Sequence, residues 1–328
     1  MIHGSTEPVP STREELIGPE LAGRLDRLDL RSLKMFPGAL PGERRSKRRG
    51  SSVEFDDYRN YVPGDDLRHI DWNVYARMDK LFLKLFREEE DLSLTVVVDA
   101  SPSMLAGKPT KLVCAHRLAM AIAHVGLVGN NRVSLTGFGS PAGYRRLAPG
   151  RGRRRLAAVG EFLLENLRDA AGSVQPAKPA RADGAGAGFN DTLRRVARER
   201  TGKGVVIVLS DCLVRGGYQP GIATLADTGR GGFDTTVLQV LSPGELDPAA
   251  EGERLSGDLR LTDAESGADA EITVTAELIE RYRERARRYC DELGAFCRSR
   301  RIRHALITTD TPPDAVVLGT LRRLGVLG

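Results

Sequence analysis

The chain has 328 residues, 41% hydrophobic and 28% charged, a balance that supports a buried core and about two domains at roughly 150 residues each. Lys and Arg number 49 against 44 Asp and Glu, and a net charge of +5 over this length is too small to indicate a dedicated nucleic-acid binder. The longest apolar run, Leu118 to Ala123, falls far short of the ~20 residues that span a bilayer, and the opening MIHGSTEPVPSTREEL lacks the pattern of a secretory signal, so membrane spanning and export are not expected.

Residues 1–45 are polar and rich in Pro, Gly and charge, with one helical pattern at Glu20–Leu33 that is expected to dock rather than fold alone. Residues 46–91 carry a basic run, then an aromatic and acidic stretch ending in a cluster of Glu and Asp. From residue 92 onward strands alternate with helices. SLTVVVD (Ser93–Asp99) reads as a buried strand, and Lys111–Val128 shows helical spacing of its apolar residues. Arg132–Gly139 is a strand with a short partner at Tyr144–Leu147, and Leu156–Leu167 is a helix. GVVIVLSD (Gly204–Asp211) is the clearest strand, its continuous apolar run being typical of a strand covered on both faces. Phe233–Leu241 and Ile302–Thr308 are further strands, separated by a long helix at Ala276–Arg300. The pattern predicts an α/β domain over residues 92–310, a mostly parallel sheet flanked by helices. Residues 170–188 read as a low-complexity linker, 242–275 as an inserted hairpin and 311–328 as a C-terminal helix or tail.

Four cysteines are present, Cys114, Cys212, Cys290 and Cys297, with no CxxC pair and no His at zinc-ligand spacing. Cys290 and Cys297 share one face of the long helix, where thiols act as small core hydrophobes, and a reduced, cytoplasmic setting is expected.

Ligands of doubly wound sheets bind outside the C-terminal ends of the strands. Two carboxylates fall at such ends, Asp99 after VVV and Asp211 after VVIVLS. The first begins Asp99-Ala100-Ser101-Pro102-Ser103, three oxygen donors on one tight loop, a set that suits Mg²⁺ or Mn²⁺. The alternative use of these residues is helix capping, in which Ser and Asp satisfy free backbone N–H groups without an ion.

DASPSM closing a strand resembles the metal-ion-dependent adhesion site of von Willebrand factor type A domains. That resemblance implies a Rossmann-like fold in which the Ser101 and Ser103 hydroxyls hold the ion with Asp99, and Asp211 supports it. A Thr from a later loop completes the family's site; here the loop reads Gly188-Phe189-Asn190-Asp191-Thr192, which puts Asn190 about where the Thr is expected and Thr192 two residues late. The upstream segment EFDDYRNYVPGDDLRHIDWNVYARMDK closely resembles the signature of the bacterial domain-of-unknown-function-58 family, which precedes a von Willebrand A-like domain. Membership implies a MoxR-type AAA+ ATPase as partner and a chaperone-like adaptor role.

Pro63-Gly64-Asp65-Asp66 in that signature is a turn. Arg59, Arg68 and Arg77 are placed to pair with Asp65, Asp66 and Asp71, with Trp72 as an anchor. A hydrolase reading would make Asp65, Asp66, Asp71 and His69 an acid/base or metal cluster, and ERRSKRRG (residues 43–50) could meet phosphates of a nucleic acid. A haloacid-dehalogenase-type phosphatase would need an Asp where Ser101 stands, and no GxxxxGK[ST] loop is present to bind nucleotide. The sequence therefore points to a non-enzymatic interaction protein with a metal-assisted site at Asp99, Ser101, Ser103 and Asp211, joined by Asn190 or Thr192.

Overall fold

The computed structural model describes residues 9–32, 54–63, 67, 70–87, 92–172, 188–199, 204–226, 233–249, 257–262 and 269–328. They belong to two compact units, one of residues 1–37 with 92–328 and one of residues 38–91. In chain order the elements are α1 (Arg13–Leu16), α2 (Pro19–Leu25), β1 (Glu54–Asn60), α3 (Trp72–Met78), β2 (Phe82–Arg87), β3 (Ser93–Asp99), α4 (Lys111–Val128), β4 (Arg132–Phe138), β5 (Arg145–Gly150), α5 (Leu156–Ala171), α6 (Phe189–Arg198), β6 (Gly204–Ser210), α7 (Gln219–Ala226), β7 (Asp234–Leu241), α8 (Pro243–Leu246), β8 (Gly257–Thr262), β9 (Asp269–Val274), α9 (Ala276–Ser299) and β10 (Arg303–Thr308).

Six strands of the larger unit form one sheet in the order β10-β7-β6-β3-β4-β5. All neighbours are parallel except β5, which runs antiparallel to β4 at the edge. Counted over these six strands, this is the doubly wound order 3-2-1-4-5-6 with a reversed third strand, the mostly parallel α/β arrangement flanked by helices that the sequence predicts. The β-branched runs of β3, β6 and β7 sit in the middle because both faces are covered; every residue of β6 and β7 is buried.

One face carries α4, α5 and the N-terminal segment over Leu94, Val96, Val98, Ile207 and Leu209; the other carries α6, α7 and α9 over Val97, Val206, Val208 and Val237. Helix α4 is apolar nearly all round because α2, α5 and the sheet enclose it. It is the one helix among the described residues long and apolar enough to cross a membrane, and 89% of it is buried inside the fold.

The predicted helix at Glu20–Leu33 is shorter, ending at Leu25 with Asp26 as its cap. Leu28 and Leu30 are buried for another reason: Leu30 bridges antiparallel to Leu327, so the two ends of the chain close on each other. Helix α5 continues four residues past the predicted Leu167 to Ala171. Most of the 170–188 linker lies outside the described residues. The 242–275 segment holds the short α8 and the antiparallel pair β8–β9, and all four cysteines are buried and free.

In the smaller unit, β1 and β2 pair antiparallel, and Ile70 bridges to Leu83. Asp71 caps α3 through the N–H groups of Asn73 and Val74, and Tyr58 donates its hydroxyl to the second carboxylate oxygen at 2.8 Å. Trp72 is 60% exposed, because the inward positions of this turn belong to Ile70 and Asp71, and its ring meets only Tyr75 edge-on among the described aromatic rings.

Candidate functional site

The strand order reverses between β3 and β6, so the C-terminal ends of these two strands flank the switch point where such sheets leave a crevice. Asp99 ends β3 and Asp211 follows β6, which brings the two predicted carboxylates side by side. Both are almost fully buried, at 3% and 2% exposure. Asp99 accepts the Ser101 N–H at 2.9 Å on one oxygen and the Ser210 hydroxyl at 2.6 Å on the other. Burial, and then the neighbouring Asp211 charge, push the Asp99 carboxyl up to about 6.

Ser101 and Ser103 lie above Asp99 on the loop, their hydroxyl oxygens 3.1 Å apart. Ser101 is the N-cap of the 3-10 turn Pro102–Ser103-Met104-Leu105, yet no side-chain capping bond is made there. The capping role belongs to Asp99, which satisfies the loop N–H, while the two hydroxyls bond each other. The loop is held from beside by the turn after β4. Gly139 has φ +85, and a Cβ on it would stand 2.6 Å from the Ser101 nitrogen, so only glycine permits this approach. The next residue, Ser140, is buried with a hydroxyl that has no partner.

Asp211 accepts the Leu213 N–H at 2.9 Å on one oxygen and the Lys111 ammonium at 2.8 Å on the other. Lys111 is fully buried at the first position of α4 and also pairs with Glu245 of α8. Glu245 in turn closes a capping box with Ser242. Sequence reading missed Lys111 and Glu245. The one signal for Lys111 was a cation in the first turn of an otherwise apolar helix, where the helix dipole opposes it.

The remaining predicted donors are placed differently. Asn190 uses its amide to join α6 to the start of α7, donating to the Gly217 carbonyl and accepting the Gly221 N–H, both at 2.8 Å. Thr192 is fully buried within α6. Asp71 is a helix cap, and Asp65, Asp66, Arg68, His69 and the basic residues 44–49 lie outside the described residues. In the basic run Arg151–Arg155, Arg153 pairs with Asp26 at 3.0 Å and Arg155 donates to the Ala148 carbonyl at 2.9 Å, so these two arginines serve the fold.

Chemically the site offers two half-buried hydroxyl oxygens over a buried carboxylate, a set that fits a hard cation sharing its shell with water. The charges fit in the same sense, since among the described residues Asp99, Asp211 and Glu245 stand against the ammonium of Lys111. Among the described residues no three His, Cys, Asp or Glu side chains group as a metal site.

Residues 57–291 match the family described as protein of unknown function DUF58. The chain belongs to this family. Over 273 residues it is 27% identical to uncharacterized proteins of Mycobacterium tuberculosis and Mycobacterium bovis, covering 83% of this chain and 79% of each relative. Similar solved structures include BatB from Bacteroides thetaiotaomicron, at TM-score 0.39 and 15% identity over 71% of this chain and 98% of that one. An aerotolerance-related membrane protein from Bacteroides fragilis has the same score and coverage at 17% identity. A von Willebrand factor type A protein from Catenulispora acidiphila has a TM-score of 0.32 and 16% identity, over 60% of this chain and 42% of that one.

Proposed function

We propose that this DUF58 protein is a non-enzymatic adaptor that binds a protein partner at the C-terminal edge of its sheet, with a divalent cation as part of the contact. The observation that carries the reading is the pair of hydroxyls of Ser101 and Ser103, 3.1 Å apart over buried Asp99 and not used for capping at the switch point. Ser101, Ser103 and Asp99 would hold Mg²⁺ or Mn²⁺, which when bound supplies a Lewis-acid position for a carboxylate of the partner. Asp211 stands behind them, and neither Asn190 nor Thr192 is needed for this half-shell of donors. The family resemblance makes a MoxR-type AAA+ ATPase the partner class, which would supply the nucleotide chemistry for which this chain carries no phosphate loop. Four buried, unpaired thiols accord with a reducing, cytoplasmic location.

The test is capture of a MoxR-type ATPase encoded beside the gene, by wild type and by the Ser101→Ala/Ser103→Ala variant, in Mg²⁺ and in EDTA. Capture by wild type in Mg²⁺ alone is expected. Equal capture in all four conditions would remove the cation from the reading, and no capture in any would remove the partner.

A further inference from the structure

A buried ammonium is costly unless its partners are close and well placed. Lys111 is fully buried, and its position at the start of α4 sets it against the helix dipole. Its place is explained by its partners, Asp211 after β6 and Glu245 in α8 after the neighbouring β7. Asp99 lies within electrostatic reach of Asp211, so among the described residues three carboxylates share one cation. Both oxygens of Asp211 are engaged, one by Leu213 N–H and one by Lys111. A divalent ion above Asp99 therefore meets a carboxylate whose charge is already answered.

We propose that Lys111 is the resident counter-ion of the site and competes with a divalent cation for Asp211, so that Lys111 sets the cation affinity of the Ser101–Ser103 loop. The inference rests on the cation reading for its ligand, and it adds the residue that tunes the site. Two consequences follow from Coulomb's law alone. Removing the ammonium leaves Asp211 and Glu245 as uncompensated charge beside the loop, and cation affinity rises. Removing Glu245 leaves the ammonium to Asp211 alone, and cation affinity falls.

The experiment is calorimetric titration of the full chain with Mn²⁺, for wild type, Lys111→Met, Glu245→Gln and the Lys111→Met/Glu245→Gln double variant. Lys111→Met is expected to bind Mn²⁺ at least about tenfold more tightly than wild type, and Glu245→Gln at least about threefold more weakly. Should Lys111→Met not fold, the double variant, with one buried carboxylate fewer, is compared with Glu245→Gln, and a tenfold gain is again expected. If neither Lys111 variant folds, the wild type against Glu245→Gln comparison decides, and unchanged affinity there overturns the proposal. Binding in wild type with equal or weaker binding in Lys111→Met keeps the cation site and overturns the role of Lys111. Binding in Lys111→Met but not in wild type supports the counter-ion role and overturns the cation reading of the native site. Absence of binding in every folded variant overturns both.

Discussion

The sheet of the larger unit buries an ion pair at each end, and the two are built differently. At the lower end, Arg303 opening β10 meets Asp234 opening β7 at 2.7 Å. Ser32 donates to Asp234 at 2.9 Å, and Arg303 donates to the carbonyls of Leu324 and Gly325. Among the described residues one cation faces this carboxylate, and the hydrogen bonds join the N-terminal segment at Ser32 to the turn at Leu324 and Gly325. At the upper end one ammonium faces Asp211 and Glu245 with Asp99 behind them. The balanced pair staples structure. The other sets three carboxylates against one described ammonium, and it lies at the C-terminal strand ends on the switch point, where ligands of this fold class bind.

The sharpest way to break this contrast is to remove each cation in turn. Lys111→Met strands the buried Asp211 together with the half-buried Glu245 and is expected to cost about 5 kcal/mol in urea denaturation, the upper part of the range for breaking a buried pair. Adding Glu245→Gln should return part of that loss, a coupling readable from a double-mutant cycle. Arg303→Met takes one cation from Asp234 and is expected to cost about 3 kcal/mol, with most of it recovered in Arg303→Met/Asp234→Asn. If the upper end loses no more than the lower, or the lower pair is not rescued by its neutral double variant, the distinction between a staple and a site does not hold.

The same contrast governs what was legible in the sequence. Strands β3 and β6 and helix α4 follow from β-branched runs and apolar spacing, and the loop after β3 announces Asp99, Ser101 and Ser103 by their spacing. Asp211 follows from its place after a buried strand. Glu245 could not be read, because it sits in an insertion and meets Lys111 only through the crossover of the chain. Asn190 stands about where the von Willebrand A resemblance expects a Thr, but Gly217 and Gly221 engage its amide, and that contact depends on how α6 packs on α7. The helix predicted to reach Leu33 fails for a similar reason. Leu28 and Leu30 continue an apolar pattern that is buried by the distant C-terminus rather than by a further helical turn.

A finer probe tests whether the upper loop is held for its hydroxyls. Gly139→Ala places a Cβ at positive φ against the Ser101 backbone, and a cost of about 1–3 kcal/mol is expected from the strained conformation alone. The displaced loop should also lose its Mn²⁺-dependent gain in Tm. A variant that is less stable but keeps the full Mn²⁺ gain would show that the packing of Gly139 serves only the fold.

The smallest effect is the most specific to charge balance, and it is read from stability against pH in EDTA. The Asp99 carboxyl is pushed up to about 6 by burial and by Asp211, while in the unfolded chain it titrates near 3.9. The folded state therefore takes up this proton first as pH falls, so the carboxyl adds stability on going from pH 7 to 5, by roughly 1 kcal/mol. His116 works in the opposite direction. It is fully buried between the Leu112 carbonyl and Asn166, and burial holds its imidazole below the usual range. Below pH 6.5 the unfolded chain gains a proton that folded His116 refuses, and stability is lost. Asp99→Asn removes the compensating gain, so its stability should fall more steeply between pH 7 and 5 than that of wild type. Parallel slopes would mean that Asp99 carries no unanswered charge, and the upper end would then be as balanced as the lower.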